Sequence, residues 1–247
     1  MPGISDGHYR VARLETFFRP APWAFAESEV ARINAHWMRA RAEKPAMFDG
    51  RVLLMRDPEI VATPEGDVLR GAFFDTDYRN FLAWSDFGAA GEPEGGVYNC
   101  FSMAALRTRD GDFLLVEMGA HTANAGKIYF AAGTPDLSDI FGEKVDLAAS
   151  VAREMEEETG FSPVEAPPAA GWSVIVAGRK IACIQQRLLP LAADEALARA
   201  EDFLAREEEP ELARLHAAYG LKDIDPARMP DFIQTFLRDA FAAQPCG

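Results

Sequence analysis

Two turn signals bracket the middle of this chain and constrain its fold more than any other feature. Asp110-Gly111 separates the apolar runs 102–109 and 112–118, and Gly178-Arg179 separates the runs 172–177 and 180–187. Dipeptides of this kind supply the backbone conformations that tight turns need, so each pair of runs is expected to fold back as antiparallel strands. Gly178 holds the first central position, which suits a II′ turn. A further apolar run, 127–132, reads as a buried strand, and between it and the second hairpin lies one helical stretch, Leu147–Thr159. Strands gathered around an amphipathic helix predict an α/β (α+β) layered fold with a mixed sheet.

The flanking thirds are read from periodicity and turn residues. Val30, Ile33 and Trp37 recur at helical spacing within 27–41, the runs 51–55 and 68–74 look like strands between turns at 57–58 and 64–66, and 78–84 reads as a short helix. The stretch 89–96, AAGEPEGG, offers little to bury and reads as a linker. Residues 192–244 are rich in Ala, Leu, Glu and Arg, which predicts two or three helices broken near Pro210, Gly220 and Pro226. The expected organisation is therefore an N-terminal α+β region over 1–96, a core over 97–190, and C-terminal helices over 191–247 packing on that core.

Charge narrows the partners. A formal net charge of -14 argues against a chain that holds nucleic acid by neutralising phosphates. The same field disfavours an anionic small substrate unless a divalent cation and a few basic groups reverse it locally. Cys100, Cys183 and Cys246 are widely spaced with no C-x-x-C pair, which points away from zinc and toward a reducing compartment. No segment approaches the ~20 apolar residues a membrane span needs, so a soluble, cytoplasmic protein is expected.

The metal site that the charge calls for is found at 153–161, REMEEETGF. On a helix, Glu154, Glu157 and Glu158 stand at i, i+3 and i+4 and converge, while Glu156 points nearly the opposite way. Like charges so spaced repel, and hard divalent cations make such oxygen clusters favourable. Leu147, Val151 and Met155 form the opposing apolar stripe, and Gly160 with Phe161 marks a left-handed helix end. By contrast the Glu run at 207–209 reads as a solvated helix face.

This run resembles the C-terminal half of the Nudix box, G-x5-E-x7-R-E-U-x-E-E-x-G-U with U apolar, and every fixed position from Arg153 to Phe161 matches. The resemblance implies a Nudix-type α/β/α sandwich carrying the N-terminal extension and C-terminal helices. It also implies a pyrophosphohydrolase that uses Mg²⁺, or alternatively Mn²⁺, held by Glu154, Glu157 and Glu158. The carbonyl of Gly133 would be a further ligand, and Arg153 would brace the preceding loop by pairing with a carboxylate. The first half of the box departs from the pattern: Val145 and Asp139 occupy its Glu and Gly positions, and Gly142-Glu143 looks like a displaced Gly-Glu pair, so Glu143 is a candidate to approach the metals. The general base is left among a box Glu, Glu143 and an acidic residue after 190. Lys127, Arg107 and Arg179 fall on strands and turns near the helix, either as phosphate-holding cations or as ordinary surface charges. The stretches 48–51 and 77–82 look like parts of larger Nudix enzymes that cleave UDP-sugars. The resemblance thus implies a small nucleotide-like partner, a nucleoside diphosphate linked to another group; a catalytically inactive binding module is the alternative, and a homodimer is left open.

Overall fold

A computed structural model describes residues 4–45, 47–87, 96–120, 122, 124–207 and 211–243. All but Gly96 of the linker read at 89–96 lies outside these residues, as do Cys246 and most of the Glu run at 207–209.

One strand organises the sheet. β5 (Val97–Arg107) pairs in parallel with β12 (Lys180–Leu188) along one side. Along the other it meets three partners in turn, all antiparallel: β3 (Arg51–Val61) at Val97 and Tyr98, β8 (Ala131–Gly133) at Ser102 to Ala104, and β6 (Phe113–Met118) at Leu106 and Arg107. Beyond β12 lie β11 (Trp172–Ala177) and β1 (Gly7–Val11). Beyond β3 lie β4 (Val68–Asp77), β2 (Arg13–Phe18), β10 (Lys144–Val145) and β9 (Ile140–Phe141). β6 also pairs with β7 (Ile128–Tyr129) and β13 (Leu212–Ala218).

Strand alternation makes this sheet the middle layer of three. Ala104 and Leu106 of β5, with Leu114 and Val116 of β6, face α4 (Leu147–Thr159) and α5 (Ala193–Leu204). Met103 and Ala105, with Phe113 and Leu115, face α6 (Asp231–Ala242), whose Phe236 lies at 5.4 Å from the Phe113 ring and 5.2 Å from that of Phe130. The protein is therefore a mixed α+β sandwich. In the N-terminal region α1 (Ala24–Ser28), α2 (Val30–Glu43) and α3 (Tyr78–Phe87) accompany β3 and β4. Ile33 is the one residue of α2 that is buried outright, while Val30 of the same stripe is 52 % exposed.

Several local expectations hold and others change. α4 has the bounds its periodicity predicts. Ala177 pairs with Lys180 across the two-residue turn, and Gly178 has φ 58 as a II′ turn requires. The first hairpin closes more loosely: Arg107 pairs with Phe113, so five residues form the loop, tied by the Thr108 hydroxyl accepting from the Asp112 amide. Asp57-Pro58 is no turn but a bulge within β3, with Asp57 at φ 49 and the register slipping between Arg56 and Glu59. The run 127–132 divides at Phe130 into β7 and β8.

The larger correction concerns the C-terminal region, where 212–218, read as helix, is the strand β13. Its Leu, Ala and Arg favour a helix locally, but pairing with β6 and burial of Leu212, Leu215 and Ala218 override that preference. Glu117 of β6 pins the seam, facing His216 Nε2 at 2.7 Å, Arg214 Nε at 2.9 Å and Arg228 Nη2 at 2.7 Å. Burial pushes its carboxyl up, yet the donors from His216, Arg228 and Arg214 outweigh this and hold it at about 2. A carboxyl depressed in the folded state stabilises the fold above its ordinary value of 4.5, and that contribution fades as pH falls toward 2. Glu117→Gln should therefore melt below wild type at pH 7 and converge with it near pH 2. Parallel melting curves across that window would show that Glu117 contributes nothing.

Candidate active site

α4 is built to present one acidic face. The Asp146 carboxylate accepts from the amides of Ala148 and Ala149, both at 3.0 Å, and so caps the start. Gly160 ends the helix at φ 72, its amide donating to the Glu156 carbonyl at 2.9 Å. Leu147, Val151 and Met155 are buried against the sheet, and Glu156 points to solvent. The rotation left to Glu154, Glu157 and Glu158 sends them toward β8 and the sheet edge beside it.

Glu154 lies directly on Gly133, where an added Cβ would come within 2.2 Å of Oε1. Only glycine permits that approach. Arg153 holds the face together: its Nη1 sits 2.8 Å from Glu154 and 3.2 Å from Glu157, and its Nη2 lies 3.4 Å from Asp139. Asp139 is buried and also accepts from the Asp136 amide at 3.0 Å, so Arg153 ties α4 to the loop between β8 and β9. Burial raises Glu154 above the usual carboxylate range, opposed by Arg153. Glu158 is more extreme: burial first, then the Glu154 and Glu211 carboxylates, push it up to about 9. Its Oε2 is buried with no hydrogen-bond partner among the described residues.

These residues pass the test of fit for a hard cation. Among the described residues no three His, Cys, Asp or Glu groups stand drawn together at ligating distance. Mutual repulsion accounts for this, with the Arg153 guanidinium lying between Glu154 and Glu157 where a cation would otherwise compensate them. The Glu158 oxygen without a partner among the described residues and the close packing of Glu154 on Gly133 give an all-oxygen donor set of the kind that suits Mg²⁺ or Mn²⁺.

A cleft of about 390 Å³ opens from Gly133. Its walls come from separate stretches: Tyr78 and Phe81 of α3, Phe101 of β5, Tyr129 of β7, and Phe232 of α6. α3 is set in place by ion pairs between the stretches 48–51 and 77–82. Asp49 faces Arg79 Nε at 2.9 Å and accepts from its amide at the start of α3, while Arg51 pairs with Asp75 and, at 2.6 Å, with Asp77.

The basic residues divide. Lys127 lines the cleft and donates to the Ala227 carbonyl at 3.2 Å. Arg179 lies over the Trp84 ring at 4.1 Å. Arg107, at the other end of β5, lines a separate cavity with Trp172 and Gln186 and is not brought to the acidic face. Glu143 sits at the tip of the β9–β10 hairpin, 81 % exposed and paired with Arg19 at 3.4 Å, while Val145 is buried. A carboxylate from outside the helix whose charge is felt at Glu158 is that of Glu211, just ahead of β13. No local signal singles it out, because its position depends on the pairing of β13 with β6.

No family model matches the chain, and no curated protein matches it. Among solved structures, a MutT protein from Methanosarcina mazei Go1 aligns at 18% identity over 58% of this chain and 92% of its own, with a TM-score of 0.36. A mutT/nudix family protein from Listeria innocua aligns at 20% over 59% and 92%, TM-score 0.39. A NUDIX hydrolase from Nitrosomonas europaea aligns at 19% over 59% and 89%, TM-score 0.40. Superpositions this partial decide nothing about chemistry, which has to come from the side chains.

Proposed function

We infer that the chain is a Nudix-type pyrophosphohydrolase acting on a phosphoanhydride in a nucleoside diphosphate linked to another group, with UDP-sugars the first candidates. One observation carries the reading: a buried Glu158 oxygen with no hydrogen-bond partner among the described residues, beside a Glu154 that packs so closely on Gly133 that a Cβ there would force its carboxylate to move. Glu154, Glu157, Glu158 and the Gly133 carbonyl would hold Mg²⁺, with Mn²⁺ as the alternative. When bound, the ion supplies charge neutralisation of the phosphates and lowers the pKa of a coordinated water.

The chain's own residues do the rest. Arg153 keeps the helix and the loop at Asp139 in register. Lys127 lines the cleft beside Tyr129 and offers a cation to the phosphates. Glu211, an exposed acidic residue after 190 whose charge acts on Glu158, is the candidate to accept a proton from the attacking water. The free, buried thiols of Cys100 and Cys183, with sulfurs 3.8 Å apart, accord with a reducing cytoplasm.

Purified protein with Mg²⁺ should turn over at least one member of a panel of nucleotide sugars, dinucleotides and nucleoside triphosphates, and excess EDTA should stop it. Tight binding of a panel member without turnover would replace the enzyme by a binding module. Undiminished turnover in EDTA would remove the metal.

A further inference from the structure

α6 spans two openings on one side of the sheet. Phe232 in its first turn lines the cleft that leads to Gly133, whereas Phe236, Asp239 and Ala240 line a separate cavity of about 440 Å³. That volume is in the range of small-molecule sites. The space is left by short side chains, since Ala12, Ala169, Ala170 and Gly171 line it together with Ala240 and Ala243. It stands apart from the acidic face: Arg107, which lines it, lies four residues along β5 from Met103, the partner of Ala132 beside Gly133. At the rise of an extended strand that separation is about 13 Å.

Polar side chains are gathered here from four neighbouring strands, β1, β11, β12 and β5. Alternation puts Ser173, Gln186 and Arg107 on the sheet face shared by Ile175, Ile184 and Ala105, which packs on α6, and Arg10 joins them through its pairing with Ser173. The charged groups lining the cavity are Arg10, Asp67, Arg107 and Asp239. Arg10 and Asp239 satisfy each other at 2.5 Å, with His8 Nδ1 3.8 Å from the same carboxylate. Asp67 is exposed next to the turn at Gly66. Arg107 is half-buried, and among the described residues its guanidinium has no hydrogen bond, ion pair or ring contact. Every other buried or half-buried arginine among them makes at least one, and even Arg187 donates to the Ala148 carbonyl at 3.3 Å. The chain has 39 acidic and 25 basic residues, so a shielded cation that no carboxylate meets points to an anion from outside the chain.

A guanidinium presents paired N–H groups that match the oxygens of a carboxylate or a phosphate. Gln186, one strand over and two residues back in register, stands about 8 Å away along the sheet, near enough for its amide to donate to the same oxygens. Charge decides between the two anions. Asp67 and Asp239 line the same cavity and only Asp239 is neutralised, so a phosphate dianion meets more repulsion than one guanidinium offsets, whereas a single negative charge matches a single free cation. We propose that this cavity binds a small organic monocarboxylate, held at its carboxylate by Arg107 and Gln186. The site uses neither a divalent cation nor α4, and it stands whether or not the chain is a hydrolase.

The test is isothermal titration calorimetry on the full chain in excess EDTA. Lactate, gluconate and benzoate are the probes, each against its neutral amide, and all against inorganic phosphate at pH 8. At least one carboxylate should bind tenfold more tightly than its amide and than phosphate. Arg107→Ala should weaken that carboxylate by about tenfold or more, as expected for lost hydrogen bonds to a charged group. Arg107→Lys, which keeps the charge without the fork, should fall between, and Gln186→Ala should weaken it about threefold. Arg107→Ala should melt within about a degree of wild type, because its side chain has no partner to lose. Lys127→Ala, in the other cleft, should bind the carboxylate as wild type does. Failure of all three carboxylates to bind more tightly than their amides would overturn the site, as would a preference that survives both Arg107→Ala and Arg107→Lys. Phosphate binding as tightly as the best carboxylate would overturn the choice of anion.

Discussion

Glu157→Gln is expected to lower turnover about a hundredfold while the melting temperature stays level or rises slightly. The substitution keeps the size and shape of the side chain and removes its charge. Loss of one anionic ligand weakens both cation affinity and transition-state stabilisation, where single electrostatic contributions are commonly worth about 3 kcal/mol. Stability should not follow, because Glu157 is 59 % exposed and its ion pair with Arg153, at 3.2 Å, is of the surface kind that contributes little. Removing its charge also relieves repulsion by Glu154. Glu156→Gln, on the exposed opposite face, is the control and should change neither quantity. Full activity in both variants on a confirmed substrate would mean that the wrong face of α4 has been assigned.

Phe236→Ala should be the most damaging single change to stability, costing about 3–5 kcal/mol. The side chain is 1 % exposed and meets Phe113 and Phe130 nearly edge to face, at 81° and 84°. For a chain of this size each kcal/mol lowers the melting temperature by about 2–4 °C, so a fall on the order of 10 °C is expected. Leu221→Ala, at a site 57 % exposed, should move it by no more than about a degree. Because Phe232 at the start of the same helix lines the cleft, substrate affinity should weaken alongside stability. A loss below about 1 kcal/mol would show that α6 merely rests on the sheet.

The parts of this molecule that were legible in the sequence are those determined by neighbours along the chain. α4 declares itself through the 3.6-residue recurrence of Leu147, Val151 and Met155 and the glycine that ends it. The Gly178-Arg179 hairpin needs only two residues of the right conformation. Arg153, Glu154, Glu157 and Glu158 share a helix, so their mutual geometry follows from spacing alone. What escaped depends on partners far away. β13 has a helix former's composition and becomes a strand because the edge of β6 is there to receive it. β1 and β2 are short and gain their regularity from β11 and β4. Glu211 and the cleft belong to the same category, since their residues meet only when the sheet, α3 and α6 have all been placed. Arg107, read as falling on a strand near the box, lines a separate cavity at the C-terminal end of β5, a strand about 35 Å long.

The way β5 is shared has a practical consequence for anyone trimming this protein. The N-terminal region is not an appendage that a cut near residue 96 would release. β3 covers one end of β5, and β1 lies against β11 as the outermost strand on that side of the sheet. Removing residues 1–96 would bare backbone donors and acceptors along two strands at once, together with Val174, Val176 and Ile181, whose burial depends on Val11, Leu53 and Leu69. Unprotected strand edges next to apolar surface recruit other chains. A minimal catalytic fragment made that way should collect in inclusion bodies, and a soluble one would have to keep the first strand of the chain.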